Sequence, residues 1–283
     1  MVKWTDKQAL AIWEKYNKGL AKNIDIDESL SRYDIDKMRE RLEKDPVEWI
    51  KYFFPSYAKY EFAPFHIKAI KRLIANDEWY EVLSWSRELA KSTVVMFVLM
   101  YLTLTKRKKF VALASATIDA AERLLTPYRI NFENNPRIQQ FYGKQPVFGQ
   151  WTDREFTCTC GAKFIAIGAG SAPRGMRNEA IRPDVIYMDD YDTDEDCRNP
   201  VTLNKKWDWM EKALYPTRSI SEPTLVIWCG NIIAKDCCIT RAGKLANSWD
   251  VVNIRDKNGK STWPAKNTEE HIDMALSKIS TKA

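Results

Sequence analysis

The sequence predicts an α/β fold: a mostly parallel sheet flanked by helices, with an N-terminal helical segment in front. Two observations carry this. Short apolar, β-rich runs recur, as in FVALAS at 110–115, DVIYM at 184–188 and TLVIW at 224–228, and helix-length segments separate them. Apolar strands alternating with helices are the mark of a parallel sheet covered on both faces.

The elements follow in order. Ala9, Ile12, Trp13, Tyr16 and Leu20 fall at helical spacing, so residues 1–50 read as a helical segment. A second, polar helix is expected over 34–48, interrupted near Asp45-Pro46. The aromatic-rich stretch 51–73 ends in a helix that starts near Pro64. A short strand over 81–85 precedes a helix over 92–105, and FVALAS forms the next strand. A helix over 118–132 follows, with Pro136 marking its end. Runs 156–159 and 163–167 flank a Cys-Gly turn and predict a hairpin. The last two apolar strands are separated by a helix over 201–214, stopped by Pro216. After Leu245 the chain turns polar and reads as a hairpin turn and linker, then a short helix to Lys278. The implied division is 1–50, 51–245 and 246–283.

Bulk properties exclude some classes of function. With 44 Lys+Arg against 38 Asp+Glu, the net charge of +6 permits nucleic acid without demanding it. The densest basic run, 106–109, reads as a solvated helix end. The charged start MVKWTDKQAL lacks an apolar signal segment. The longest apolar stretch, 94–104, falls short of the ~20 residues a bilayer span needs. The six cysteines lack zinc-ligand spacing and read as reduced thiols, which implies a reducing cytosol.

The chemistry concentrates in three places. In VLSWSRELAKSTVVMFVLM (82–100), Lys91-Ser92 fills the end of the pattern G-x-x-x-x-G-K-[ST], with Trp85 and Ala90 at the glycine positions. A strand that ends as a helix begins leaves free N–H groups for phosphate oxygens, a lysine for the β- and γ-phosphates and a hydroxyl for Mg²⁺. On its own the stretch is weak evidence and reads more readily as the polar start of a core helix with an ordinary lysine. In RPDVIYMDDYDTDED (182–196), Asp189 and Asp190 directly follow an apolar strand. Such a pair can divide the work, the first facing a metal and the second a water. Asp192, Asp194, Glu195 and Asp196 read as a solvated acidic loop. Third, TLVIWCGN (224–231) ends in Cys229-Gly230-Asn231, either a plain turn or part of the crevice at the carboxyl edge of the sheet.

With these residues in place, the chain resembles the ATPase domain of a tailed-phage terminase large subunit over roughly 50–283. The similarity lies in a glycine-poor Walker A loop with an early arginine, Ser86-Arg87-Glu88-Leu89-Ala90-Lys91-Ser92-Thr93. It lies also in the arginine–glycine step before the acidic strand in GSAPRGMRNEAIRPDVIYMDD, and in Cys229-Gly230-Asn231 as a coupling motif. FAPFHIKAI (62–70) resembles the segment that meets the adenine, with His66 where many relatives have glutamine.

The resemblance implies a P-loop NTPase fold of the ASCE type and an ATP-hydrolysing motor that drives double-stranded DNA into a prohead. Its cofactors would be ATP and Mg²⁺. Phe65 and His66 would bind ATP at the base, and Ser86, Arg87, Ala90, Lys91, Ser92 and Thr93 at the phosphates. Ser92 and Asp189 would hold Mg²⁺. Asp190 would take the place of the catalytic glutamate, Arg87 would act in the same subunit and Arg174 as a finger for a neighbour's ATP. Cys229, Gly230 and Asn231 would sense the nucleotide state. Implied partners are double-stranded DNA, the portal and prohead, the terminase small subunit and further copies in a ring, in the host cytoplasm and without a membrane. The last residues resemble the linker before a nuclease domain, so no nuclease activity is expected of this chain. Ala90 in place of glycine, and Asp190 one methylene shorter than glutamate, both point to slower turnover with ATP binding kept. Two other readings stand beside the motor: a helicase-like DNA-dependent ATPase unrelated to packaging, and a nucleotide-binding scaffold with little hydrolysis.

Overall fold

Among the described residues, eight strands form one sheet. The computed structural model describes residues 24–173, 176–177 and 180–277. The helical face expected from Ala9 to Leu20, and Arg174, lie outside the described residues.

In chain order the elements are α1 (Arg32–Lys44), α2 (Pro46–Phe53), α3 (Pro64–Ala75), β1 (Trp79–Trp85), α4 (Lys91–Leu104), β2 (Phe110–Ser115), α5 (Ile118–Asn134), α6 (Pro136–Tyr142), β3 (Pro146–Trp151), β4 (Glu155–Cys158) and β5 (Lys163–Gly168). Then come β6 (Val185–Asp189), α7 (Asp194–Arg198), α8 (Pro200–Trp209), β7 (Leu225–Cys229), α9 (Cys238–Leu245), β8 (Ser248–Val252) and α10 (Glu269–Leu276). The sheet runs β3-β4-β5-β2-β6-β7-β1-β8, and from β5 across to β8 every neighbouring pair is parallel. Strands β3 and β4 extend the sheet antiparallel, and β4–β5 is the expected hairpin.

The local signals explain the boundaries. Ser31 and Asp34 form a capping box at the start of α1. Asp45 then accepts from the Val47 and Glu48 N–H groups with Pro46 at the first helical position, so the expected interruption is a cap between two helices. Pro136 likewise opens α6 after the Asn135 cap. The helix expected over 201–214 is α8 followed by a π turn, Met210–Leu214, and a 3-10 turn that contains Pro216. Helix α4 is buried over nearly its whole circumference, as a helix against the middle of a covered sheet must be.

Two strands escaped the sequence reading. Strand β3 contains Pro146 and Gly149 and exposes Phe148 fully. Strand β8 lies past the expected boundary at 245 and pairs with β1 from Glu81↔Ser248 to Trp85↔Val252. Arg72 fixes it there: its Nε donates to the buried Glu81 at 2.8 Å and its guanidinium to Asp250 of β8 at 2.9 Å. Trp249 of β8 lies so close to Gly243 of α9 that a Cβ there would meet its ring at 2.3 Å.

The basic run 106–109 is not all solvated. Lys108 is buried, and its ammonium donates to the carbonyls of Asp77 at 2.8 Å and Pro223 at 3.0 Å. The cost of burying that charge is offset by carbonyl oxygens that would otherwise lack donors. All six cysteines are free thiols. No helix among the described residues is long and apolar enough to cross a membrane.

Candidate active site

Strand β1 ends at Trp85, and α4 begins at Lys91. Trp85, at the first glycine position of the pattern, is the buried last residue of the strand, as the run 81–85 predicts. The turn between them bends without glycine: Glu88 has φ 69° and Ala90 φ 58°, both left-handed. That conformation costs an L residue about 1–2 kcal/mol. Ala90 is also the N-cap of α4 and offers no side-chain acceptor, so no side chain caps the first turn of the helix. Ala90→Gly should therefore raise stability by about 1 kcal/mol, the strain relieved less the extra freedom of the unfolded chain. A urea midpoint lower than wild type would contradict this.

His66 supports the turn from beneath. It is fully buried; its Nδ1 accepts the Ala63 N–H at 3.1 Å, so its Nε2–H donates to the Leu89 carbonyl at 2.9 Å. The half-buried Phe65 packs against Trp85 with ring centroids 4.9 Å apart. Neither Phe65 nor His66 lines the cleft described below. Burial holds the His66 imidazole down at about 4 from its ordinary 6.5, and the charge of Lys266 adds to this against the Leu89 bond. Between those values an unfolded chain takes up a proton that the folded chain refuses, so stability falls as pH drops through that window. At pH 5 the loss is about 2 kcal/mol relative to pH 7. Urea unfolding at both pH values should show that decline in wild type minus that in His66→Gln. Equal pH dependence of the two proteins would exclude it.

Strand β6 delivers the carboxylates. Val185, Tyr187 and Asp189 alternate onto the face that meets α4 and α5, and Ile186 and Met188 onto the opposite one. Asp189 is fully buried, and its Oδ2 accepts from the Tyr187 hydroxyl. Its Oδ1 has no hydrogen-bond partner among the described residues. Asp189 lines a small cavity of about 120 Å³ with Ser92, Thr93 and Tyr128. Burial pushes its carboxyl up to about 6, and the Asp190 charge adds to this; the Tyr187 and Ser92 hydroxyls and Lys91 act the other way. An orphaned carboxylate oxygen beside a serine hydroxyl suits a hard, oxygen-seeking cation such as Mg²⁺.

Asp190 goes elsewhere. Its φ of 42° is a left-handed turn that aspartate tolerates, and its N–H donates to the Cys229 carbonyl at 3.2 Å. The exposed side chain lines a cleft of about 670 Å³ at the carboxyl edge of the sheet. Ser86, Arg87, Ala90, Lys91, Ser92, Thr93, Cys229, Gly230 and Asn231 line the same cleft. Lys91 donates to Asn231 Oδ1 at 3.3 Å, across from the end of β1 to the end of β7. Arg87 is exposed and forms no ion pair among the described residues.

The acidic loop is only partly solvated. Both oxygens of Asp192 accept from the first turn of α9, the Cys238 N–H at 2.9 Å and the Ile239 N–H at 2.8 Å. Asp196 pairs with Lys206 at 2.5 Å. Asp192 thus stands at the cleft with its acceptors already used. Sequence reasoning also passed over Tyr187, Trp228 and Lys266; the last two line the cleft, and Lys266 arrives from a polar stretch with no motif to announce it.

No family model and no curated protein sequence matches the chain. Solved structures do. The crystal structure of the HK97 bacteriophage large terminase aligns at a TM-score of 0.51 and 14% identity, over 75% of this chain and 43% of that one. A Saccharomyces cerevisiae Dbp5 complex with Nup159, Gle1 and ADP aligns at 0.46 and 8% identity, over 77% and 52%. The Phi-28 gp11 DNA packaging motor aligns at 0.37 and 13% identity, over 66% and 59%. The chain therefore spans less than half the length of the terminase it matches. In the sheet, β7 lies between β1, which carries the turn, and β6, which carries the acids. What the likeness shows is the fold: among the described residues this chain has an eight-stranded α/β sheet flanked by helices, similar to that of the HK97 large terminase over three quarters of its length.

Proposed function

We propose that the chain is the ATP-hydrolysing motor domain of a phage terminase large subunit and drives double-stranded DNA into a prohead. The observation that supports it most is the convergence of the Ser86–Ser92 turn, Asp190 and Asn231 on one cleft, with Asp189 just behind Ser92. Each side chain then has a task. Lys91 and Arg87 bring positive charge to the phosphates, where charge develops as the γ-phosphoryl group leaves. The free N–H groups at the start of α4 bind phosphate oxygens. Asp190, exposed at the cleft, orients the attacking water and accepts its proton. Asn231, bonded to Lys91, links the phosphate end to β7. Mg²⁺ held by Asp189 and Ser92 would neutralise charge on the phosphate oxygens.

As a terminase motor the chain would work in the host cytoplasm with the portal, the small subunit and other copies in a ring, where Arg174 would serve a neighbour's site. Phosphate release by the purified protein, with and without double-stranded DNA, tests the reading. Turnover that rises with duplex DNA supports it. Nucleotide binding without turnover points to the scaffold reading. Turnover that responds to single strands and is coupled to unwinding points to the helicase-like one.

A further inference from the structure

The turn before α4 holds two left-handed residues and no glycine, so something outside it must fix its shape. His66 secures Leu89. Glu88, exposed and at φ 69°, is gripped from the other side by the segment 263–267. The Lys266 ammonium donates to the Glu88 carbonyl at 3.0 Å and to its carboxylate at 2.8 Å. Lys266 is itself held in place, with its ammonium 5.2 Å from the centroid of the Trp263 ring. That indole is buried, donates to the Glu61 carbonyl at 2.7 Å and meets the His66 ring edge-on at 4.5 Å. The segment is pinned in turn by backbone bonds from Lys266 and Asn267 to the Trp263 carbonyl, at 3.1 and 2.9 Å. Two successive carbonyls of the turn are thus engaged by side chains from outside it, Glu88 by Lys266 and Leu89 by His66.

We propose that Lys266, carried on Trp263, is a positioning residue for the phosphate turn: it holds Glu88 in the left-handed conformation that glycine would adopt unaided. The charge-assisted bond to a main-chain carbonyl fixes the peptide, and the second bond to the Glu88 carboxylate fixes the side chain that φ above zero would otherwise disfavour. Residues more than 170 positions apart in sequence then act as one turn. The proposal rests on the reading of the turn as a phosphate site, and it adds a second route by which that site can be altered. Displacement of 263–267 releases Glu88 and loosens the turn without moving the cleft side chains at the ends of β6 and β7.

The test uses binding of a fluorescent ATP analogue with Mg²⁺, together with hydrogen exchange of residues 86–92 in the nucleotide-free protein. Lys266→Met should weaken binding about tenfold, the equivalent of the strain no longer held. It should also speed exchange in the turn. Lys266→Arg should retain both properties. Adding Glu88→Gly to Lys266→Met should restore most of the affinity, because glycine needs no external hold. Wild-type affinity and unchanged exchange in Lys266→Met would overturn the proposal. So would a double variant as weak as the single one, which would mean that Lys266 acts on the phosphates directly. If the wild-type protein fails to bind the analogue, the phosphate reading falls, while the exchange comparison still decides whether Lys266 holds the turn.

Discussion

Lys91→Ala is expected to lower ATP hydrolysis by about a thousandfold or more while the protein stays folded. The ammonium is the cation at the first turn of α4, and the expected loss is that of a preorganised charge facing the transferred phosphoryl group. Its one hydrogen bond among the described residues is to Asn231, and its loss leaves only an acceptor at the lining of the open cleft, so stability should change little. Steady-state phosphate release, checked against an unchanged thermal midpoint, measures this. A folded variant with wild-type turnover would remove the turn from the active site altogether.

Asp189→Asn is expected to make the protein more stable and less able to use Mg²⁺. The buried carboxyl titrates at about 6 against 3.8 when exposed, because burial penalises its charge. Between those values the folded chain keeps a proton that the unfolded chain has lost, so stability falls as pH rises from about 3.8 to about 6, and the full penalty is present above that. An isosteric amide removes the charge and can still accept from Tyr187, so at pH 7.5 it should stabilise by about 3 kcal/mol. Mg²⁺-dependent nucleotide binding should fall in the same variant. Asp190→Asn should keep binding and lose turnover by about a hundredfold, the lower end for a positioned general base. Identical effects of the two variants on stability, binding and turnover would refute the division of labour. An acid retained at a cost to the fold is a mark of function, since packing alone would have replaced it.

How much of this was legible in the sequence depended on where each residue's partners lie. FVALAS could be read as a strand to the residue because every side chain in it is buried. The turn, the paired acids and Asn231 could be placed at one edge because parallel strands send their carboxyl ends the same way. SWDVV could not be read as β8: Trp249 and Val251 are exposed, and Asp250 finds its cation in Arg72, far back in the chain. Asp192 passed for a solvated acid because the N–H groups it caps lie 46 residues on. His66 was expected at the base of a nucleotide, but its ring nitrogens are spent on Ala63 and Leu89. Ala90 suggested a loop less able to approach phosphate, and its φ of 58° places it where the glycine would be.

The parallel pairing of β8 with β1 has a mechanical consequence. Tension on the chain beyond Val252 pulls along the strand axis, so the ladder from Ser248 to Val252 is loaded in shear and its bonds share the force instead of unzipping in turn. At the pulled end of that ladder the Val252 carbonyl accepts the Ser86 N–H at 2.8 Å. Ser86 is the first residue of the turn before α4. A pull on the carboxyl side of β8 is therefore felt at the turn before it reaches the rest of the sheet, and the stiffness of this edge sets how much load the turn registers.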